Sequence, residues 1–345
     1  STYIDNSTIS KVNKGENIEL DNLFIDVFNK SKVIYNKTGG MFDPSIGNLL
    51  EYYGFGPDKT INEINSNEIL LILQSVGFDK VSIVNNKLVK QNQFTKLDFN
   101  AIAKGYAVDI VGEMLESKGV NDYMINIGGE IRSMGKNHFK DSFWKIGIEN
   151  PEPKKQDDII SKKVKLNNVS IASSGNYRNY RVDPKTGIKY VHTINPLNGK
   201  SQQSNILSAS VISKSCFVAD AYATAMMVGN LDYIINLTEN NDEIESLIIY
   251  FDSNNNLSEY ISDGFKELIT VPGMIIKKEA FFQVGNFLPI LLAGEDTDWM
   301  IRLKQHNISL QHPSSKTIDY HGIEELNLMK IIKKWFQNYR ACRSV

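Results

Sequence analysis

The chain has 345 residues, 41% hydrophobic and 23% charged, with a formal net charge of -2. That balance is ordinary for a globular protein and gives no basis for a nucleic-acid or anionic-membrane partner. The two cysteines, Cys216 and Cys342, stand far apart without His or Cys at ligand spacing, which excludes a disulfide framework and a zinc signature.

The length predicts one large domain with an addition, or two domains. No stretch reaches the length of a transmembrane helix, and the first residues carry no apolar signal-peptide core. The first position is Ser1 rather than Met, and the residues do not reveal a compartment. Residues 1–13 are mostly polar, with Tyr3, Ile4 and Ile9 as the larger apolar side chains. Apolar residues at Leu23, Ile25, Val27, Phe28, Val33 and Ile34 predict a helix over 20–35, closed by Lys37-Thr38-Gly39-Gly40. Residues 41–57 are dense in Gly, Pro and aromatics and predict a shaped loop, with Asp43-Pro44 as a turn or helix start. A helix is expected over 61–76, aided by Asn62-Glu63, then a hairpin of 81–84 with 88–90 across Asn85-Asn86-Lys87.

Thr95, Leu97 and Phe99 alternate as the end of a strand that runs into Asn100 as a helix N-cap. The helix begins at Ala101 and stops at Gly119. Residues 122–130, DYMINIGGE, predict one short buried strand ending at Gly128-Gly129, and 143–149 another. Residues 154–163 read as an exposed loop, 169–174 as a strand, and 178–189 as polar chain with turns at Asp183-Pro184 and Thr186-Gly187. A strand over 206–212, a helix over 216–228 capped from 213–215, a short helix over 231–237 and a strand pair, 246–251 with 257–261, follow. Asp263-Gly264-Phe265 closes the region.

Three places in this order carry chemistry. The stretch 97–109, LDFNAIAKGYAVD, puts small residues and Lys104 at a helix N-terminus. Free N–H groups and the positive dipole end there suit a phosphate, and Lys104 adds a charge of the right sign. Small residues at such a turn more often serve packing than ligand binding. On the helix over 216–228, Asp220 and Thr224 lie four apart and share a face. Ala219, Ala221, Ala223, Ala225 and Met226 surround them, so the aspartate needs a partner. A salt bridge and a hard cation held by oxygen ligands both meet that need. His192, one of five histidines, sits in YVHTINPLNG (190–199), where structural and proton-transfer roles are both open.

Seven motifs occur in one order: TGGMFDPSIG (38–47), GFGP (54–57), LDFNAIAKGYAVD (97–109), NIGGEI (126–131), ASSGNYRNY (172–180), HTINPLNG (192–199) and ADAYATA (219–225). Together they resemble the ApbE family of FAD:protein FMN transferases, over residues 1–269. The resemblance implies an α+β domain of mixed sheets with packed helices and the flavin in a cleft. It also implies a reaction: FMN passes from FAD to a Thr or Ser hydroxyl of an acceptor flavoprotein, in a flavinylation motif, by a phosphoester bond, and AMP leaves. The implied Mg²⁺ ligands are the Asp220 carboxylate, the Thr224 hydroxyl and the Ala101 backbone carbonyl. Tyr3, Met41, Phe42, Asp43, Asp98, Lys104 and Thr193 match FAD contacts. Asp220, Lys104 and His192 match the catalytic positions, with His192 taking the acceptor's proton. With water as acceptor the same site is an FAD pyrophosphatase giving FMN and AMP; without turnover it is a flavin-binding module. The family further suggests a cell-envelope location, as a periplasmic or extracytoplasmic lipoprotein, with membrane association only through a segment outside these residues. Two departures stand out. Asn100-Ala101 occupies a place where the family commonly has glycine before AKG. The family's preceding strand, with its Met-Gly-Thr segment, does not occur in these residues, so an open sheet edge and reduced activity are expected.

Residues 270–345 fit none of this. The run 274–313 resembles the C-terminal part of family-2 (GT-A type) glycosyltransferases, with Glu295-Asp296 matching their acidic pair near the acceptor. The nucleotide-sugar half of such an enzyme does not occur here, so the expectation is a partial α/β glycosyltransferase-like fragment without sugar transfer. Residues 323–339 predict a basic amphipathic helix with Leu326, Met329, Ile332 and Trp335/Phe336 on one side, packing on that fragment.

Overall fold

A computed structural model describes residues 2–57, 63–153, 159–176, 180–183, 186–201 and 204–269. The chain divides into two compact units, Ser1–Gly273 and Met274–Val345. All described residues belong to the first, so Glu295-Asp296, the helix over 323–339 and the glycosyltransferase-like fragment lie outside them.

Helix α1 (Thr8–Asn13) is capped by the Ser7 hydroxyl, and α2 (Asn22–Lys37) by Asp21, whose carboxylate accepts the Phe24 N–H at 2.7 Å. Phe24, Phe28 and Ile34 form the buried stripe of α2, while Leu23 and Val33 remain exposed. The segment expected to be a loop holds a short helix, α3 (Gly47–Tyr52). Its start is anchored where the Gly47 N–H donates to the Lys96 carbonyl at 3.1 Å, so close that a Cβ would sit 2.8 Å from that oxygen. Helix α4 (Ser66–Leu73) is capped by Asn65, whose Oδ1 accepts the Asn67 N–H at 2.8 Å; Asn62 of the expected start lies outside the described residues. Strands β1 (Val81–Val84) and β2 (Lys87–Lys90) pair across Asn85-Asn86, both at positive φ, the two-residue turn that matches strand twist.

The strand expected before α5 (Asn100–Ser117) does not form. Thr95 and Leu97 are buried, but their segment is held by single bonds: Leu97 N–H to Asn13 Oδ1 at 2.8 Å and Asp98 N–H to the Pro44 carbonyl at 2.7 Å. One isolated parallel bridge joins Lys96 to Ile46.

The run 122–130 is two strands, not one. Gly128 and Gly129 adopt φ of 64° and 106° and turn β3 (Tyr123–Ile127) back into β4 (Glu130–Met134), which puts Glu130 at the head of the second strand. Strands β5 (Lys136–Asn137), β6 (Ser142–Glu149) and β7 (Ile160–Leu166) form a small sheet. Strand β7 replaces the end of the expected exposed loop because Val164 and Leu166 alternate inward between lysines. After β8 (Ser170–Gly175) come β9 (Tyr180–Val182) and β10 (Lys189–Val191), a hairpin within the region read as polar chain. Then follow β11 (Ile206–Ser213), α6 (Cys216–Val228), α7 (Leu231–Glu239), β12 (Glu245–Phe251), β13 (Leu257–Ile261) and α8 (Asp263–Leu268).

The main sheet has the order β13-β12-β11-β8-β4-β3 and is antiparallel at every join. Among the described residues the expected mixed sheets are therefore antiparallel in all their paired strands. Helix α6 packs on β8 and β11 and, along its other side, on α5. Phe217, Tyr222, Met226, Ala209 and Val211 make the centre of that core. Among the described residues no helix is long and apolar enough to cross a membrane.

Candidate active site

The site is built where α5 begins. Asn100 is the first helical residue rather than the cap, and Asp98 does the capping work. Asp98 Oδ1 accepts the Asn100 N–H at 2.7 Å; Oδ2 accepts the Asn100 side-chain amide at 2.9 Å and the Thr2 hydroxyl at 3.1 Å. Burial raises the Asp98 carboxyl above the usual carboxylate range, and these donors oppose the rise. Ile102 anchors the first turn in the core, which leaves Ala101, Ala103 and Lys104 exposed on the other side. The result is an open helix N-terminus lined by small residues and one ammonium.

Asp220 approaches this turn from α6. It is 3% exposed, and its Oδ2 accepts the Gly105 N–H at 3.0 Å. In a regular helix that N–H closes onto the carbonyl four residues back, which is Ala101. The Asp220 carboxylate is thereby brought to the turn that carries the Ala101 carbonyl. Gly105 permits this approach: a Cβ there would lie 2.6 Å from the Cys216 carbonyl and 2.8 Å from Asp220 Cβ. Burial first and then the nearby Glu130 charge push the Asp220 carboxyl up to about 7, against the Gly105 N–H and Lys104. Thr224 follows one turn later, half-buried on the same helix.

Glu130 completes the group. It is 2% exposed, and its Oε1 accepts from Lys104 Nζ. Its Oε2 is buried without a hydrogen-bond partner among the described residues. Two buried carboxylates thus share one ammonium, which leaves an excess negative charge when both are ionised. Carboxylate, hydroxyl and backbone carbonyl are all hard oxygen donors, so the donor set and the orphaned oxygen fit Mg²⁺. Among the described residues no group of three or more His, Cys, Asp or Glu is arranged to hold a metal. A set of one carboxylate, one hydroxyl and one carbonyl would leave coordination positions for water or phosphate.

A second cluster stands next to the first. Tyr3, 56% exposed, donates its hydroxyl to the Phe55 carbonyl at 2.9 Å. Burial and then the Asp98 charge raise its phenol, opposed by Arg181. The Phe55 ring lies edge-on to His192 with centroids 6.4 Å apart, and the Arg181 guanidinium sits 5.4 Å from that ring's centroid. Thr193 donates its hydroxyl to Asn176 Oδ1 at 2.6 Å. Thr2, hydrogen-bonded to Asp98 beside Tyr3, links this cluster to the start of α5.

Of the residues expected at the site, those of the loop 41–43 lie against the core. Phe42 is 3% exposed within the main core, and Met41 packs half-buried against the same core. Asp43 is enclosed by Ser45 N–H at 2.7 Å, Ser45 hydroxyl at 2.6 Å and Phe78 N–H at 3.3 Å. The Phe42 and Asp43 side chains are interior groups here and hold the loop rather than face an open surface. Sequence reasoning passed over Glu130, Phe55, Asn176, Arg181 and Asp109. Four of these five sit inside quoted motifs, yet only the fold shows which face each presents.

The ApbE family model matches residues 1–248. The chain belongs to the ApbE family. Among ApbE relatives, the FAD:protein FMN transferase of Haemophilus influenzae is 33% identical over 277 residues, 78% of this chain and 78% of that one. The FAD:protein FMN transferase of Vibrio cholerae is 31% identical over 275 residues, 78% of this chain and 80% of the other. The solved flavin transferase ApbE from Vibrio cholerae superposes with a TM-score of 0.67 at 30% identity, over 78% of this chain and 84% of that one. The apo flavinyl transferase ApbE of Pseudomonas stutzeri gives 0.68 at 29% identity, over 78% and 82%. The α+β flavin-transferase fold is thereby established for the first unit, while the glycosyltransferase resemblance of 270–345 gains no support from these matches.

Proposed function

We propose that this chain is a flavin transferase that moves FMN from FAD onto a Thr or Ser hydroxyl of an acceptor flavoprotein, as a phosphoester, and releases AMP. The relatives' activity supports the transfer itself. The observation that carries the site is the buried Asp220 carboxylate, paired with the Gly105 N–H and crowded by Glu130, beside the open first turn of α5.

Asp220, Thr224 and the Ala101 carbonyl would hold Mg²⁺, which supplies charge neutralisation at the pyrophosphate when bound. The first turn of α5, where Ala101 and Ala103 are exposed, and Lys104 receive phosphate oxygens, with Glu130 holding the lysine in place. Tyr3 and Phe55 offer aromatic surface at the rim. His192, edge-on to Phe55, accepts the proton of the attacking hydroxyl.

The test is incubation with FAD, Mg²⁺ and a peptide carrying the acceptor threonine, followed by mass spectrometry and nucleotide analysis. Transfer yields a flavinylated peptide and AMP in equal amounts. Free FMN with unmodified peptide would replace transfer by hydrolysis, and bound, unchanged FAD would leave only a binding module. Asp220→Ala is expected to abolish the Mg²⁺-dependent rate; an unchanged rate removes the metal assignment.

A further inference from the structure

Asp109 gathers four donors although it lies outside the site. Its Oδ1 accepts the Cys216 N–H at 2.9 Å and Arg132 Nη1 at 3.0 Å. Its Oδ2 accepts the Phe217 N–H at 2.9 Å and the Ser215 hydroxyl at 2.6 Å. These are the cap and first two residues of α6, held by a carboxylate that belongs to α5 and is 5% exposed. A negative group here also meets the positive end of the α6 dipole.

One turn earlier on α5, Gly105 donates to Asp220, one turn later on α6. Two positions four apart on α5 therefore grip two positions four apart on α6. The Gly105 bond fixes one point of α6 against α5, and the Asp109 bonds fix a second point one turn away. Eight residues of helix, about 12 Å, separate Asp109 from Ala101, so Asp109 reaches neither phosphate nor cation itself.

We infer that Asp109 is the positioning residue of the cation site: it sets the register of α6 against α5 and thereby holds Asp220 and Thr224 opposite the Ala101 carbonyl. This rests on the metal reading above. A carboxylate is required because both oxygens face donors. An amide presents one acceptor oxygen and one NH₂, so at least one α6 N–H would meet a donor.

The test measures Mn²⁺ binding to the full chain through loss of the free-ion EPR signal, alongside Tm and the Mg²⁺ dependence of turnover. Asp109→Asn is expected to weaken Mn²⁺ about tenfold or more and to raise half-saturating Mg²⁺ in parallel, with kcat at saturating Mg²⁺ reduced far less. Tyr123→Phe is the structural control. It removes hydrogen bonds to Glu116 and from Arg132 Nε, lowers Tm, and leaves all four Asp109 donors and Mn²⁺ affinity intact. Should Asp109→Asn fail to fold, Ser215→Ala removes one donor of the same clamp and is expected to weaken Mn²⁺ by a few-fold. Wild-type Mn²⁺ affinity in a folded Asp109→Asn, or in Ser215→Ala, overturns the inference. Failure of the wild-type chain to bind Mn²⁺ overturns the metal reading beneath it.

Discussion

The carboxyl of Asp43 is enclosed by the loop it belongs to, and burial pushes it up to about 6 despite three donors. In the unfolded chain the same group titrates near 4. Between those values the folded protein keeps a proton that the unfolded chain has lost, so stability from this group is present below about pH 4 and lost as pH rises through 6. The expected size is roughly 2–3 kcal/mol. Asp43→Asn should flatten the pH dependence of stability across that window in urea melts at pH 4–7; an unchanged slope would contradict the assignment. Asp220 has the same sign and a different consequence. Its carboxyl, raised to about 7, must lose its proton to bind a cation, so Mg²⁺ affinity should strengthen as pH rises from 6 towards 7 and level off above, as titration calorimetry would show. At this scale the sequence disclosed that Asp220 needs a partner. It did not disclose which partner, because Gly105 lies 115 residues away along the chain.

Helices α5 and α6 are the elements on which the site depends. Their contact is close because Gly105 carries no side chain, and the Asp109 carboxylate closes it one turn further on. Gly105→Ala gains helix propensity of about 1 kcal/mol but drives a methyl into the Cys216 carbonyl and Asp220. The net expectation is a Tm lower by about 2–10 °C and weaker cation binding, read by differential scanning calorimetry with and without Mg²⁺. A variant with wild-type Tm and Mg²⁺ response would show that the helices have room to spare. Both helices were legible from spacing, and α6 also from its cap: Ser215 caps it, with its hydroxyl accepting the Val218 N–H at 3.3 Å. The hairpin of β3 and β4 was not, since a run of apolar residues through Gly128-Gly129 has the same pattern whether the chain continues or reverses. That reversal is what delivers Glu130 to Lys104.

Every residue assigned to the flavin and cation sites falls between Tyr3 and Thr224, inside the compact unit Ser1–Gly273. A chain ending at Gly273 is therefore expected to keep the FAD-dependent transfer rate within about twofold of the whole chain; loss of activity would give the remaining residues a role in the reaction. Seven motifs in one order, the helix cap at Ser215 and the Asn85-Asn86 turn were all settled by the sequence alone, because each depends on residues within a few positions of one another. The family and the enzyme class follow from that order. Tertiary structure alone decided that Phe42 and Asp43 turn inward, that Glu130 has one oxygen without a partner among the described residues, and that Gly105 and Asp109 lock Asp220 in place. Those outcomes depend on which distant segments share the interior, where a polar atom is satisfied or stranded by neighbours that its own stretch of chain does not contain.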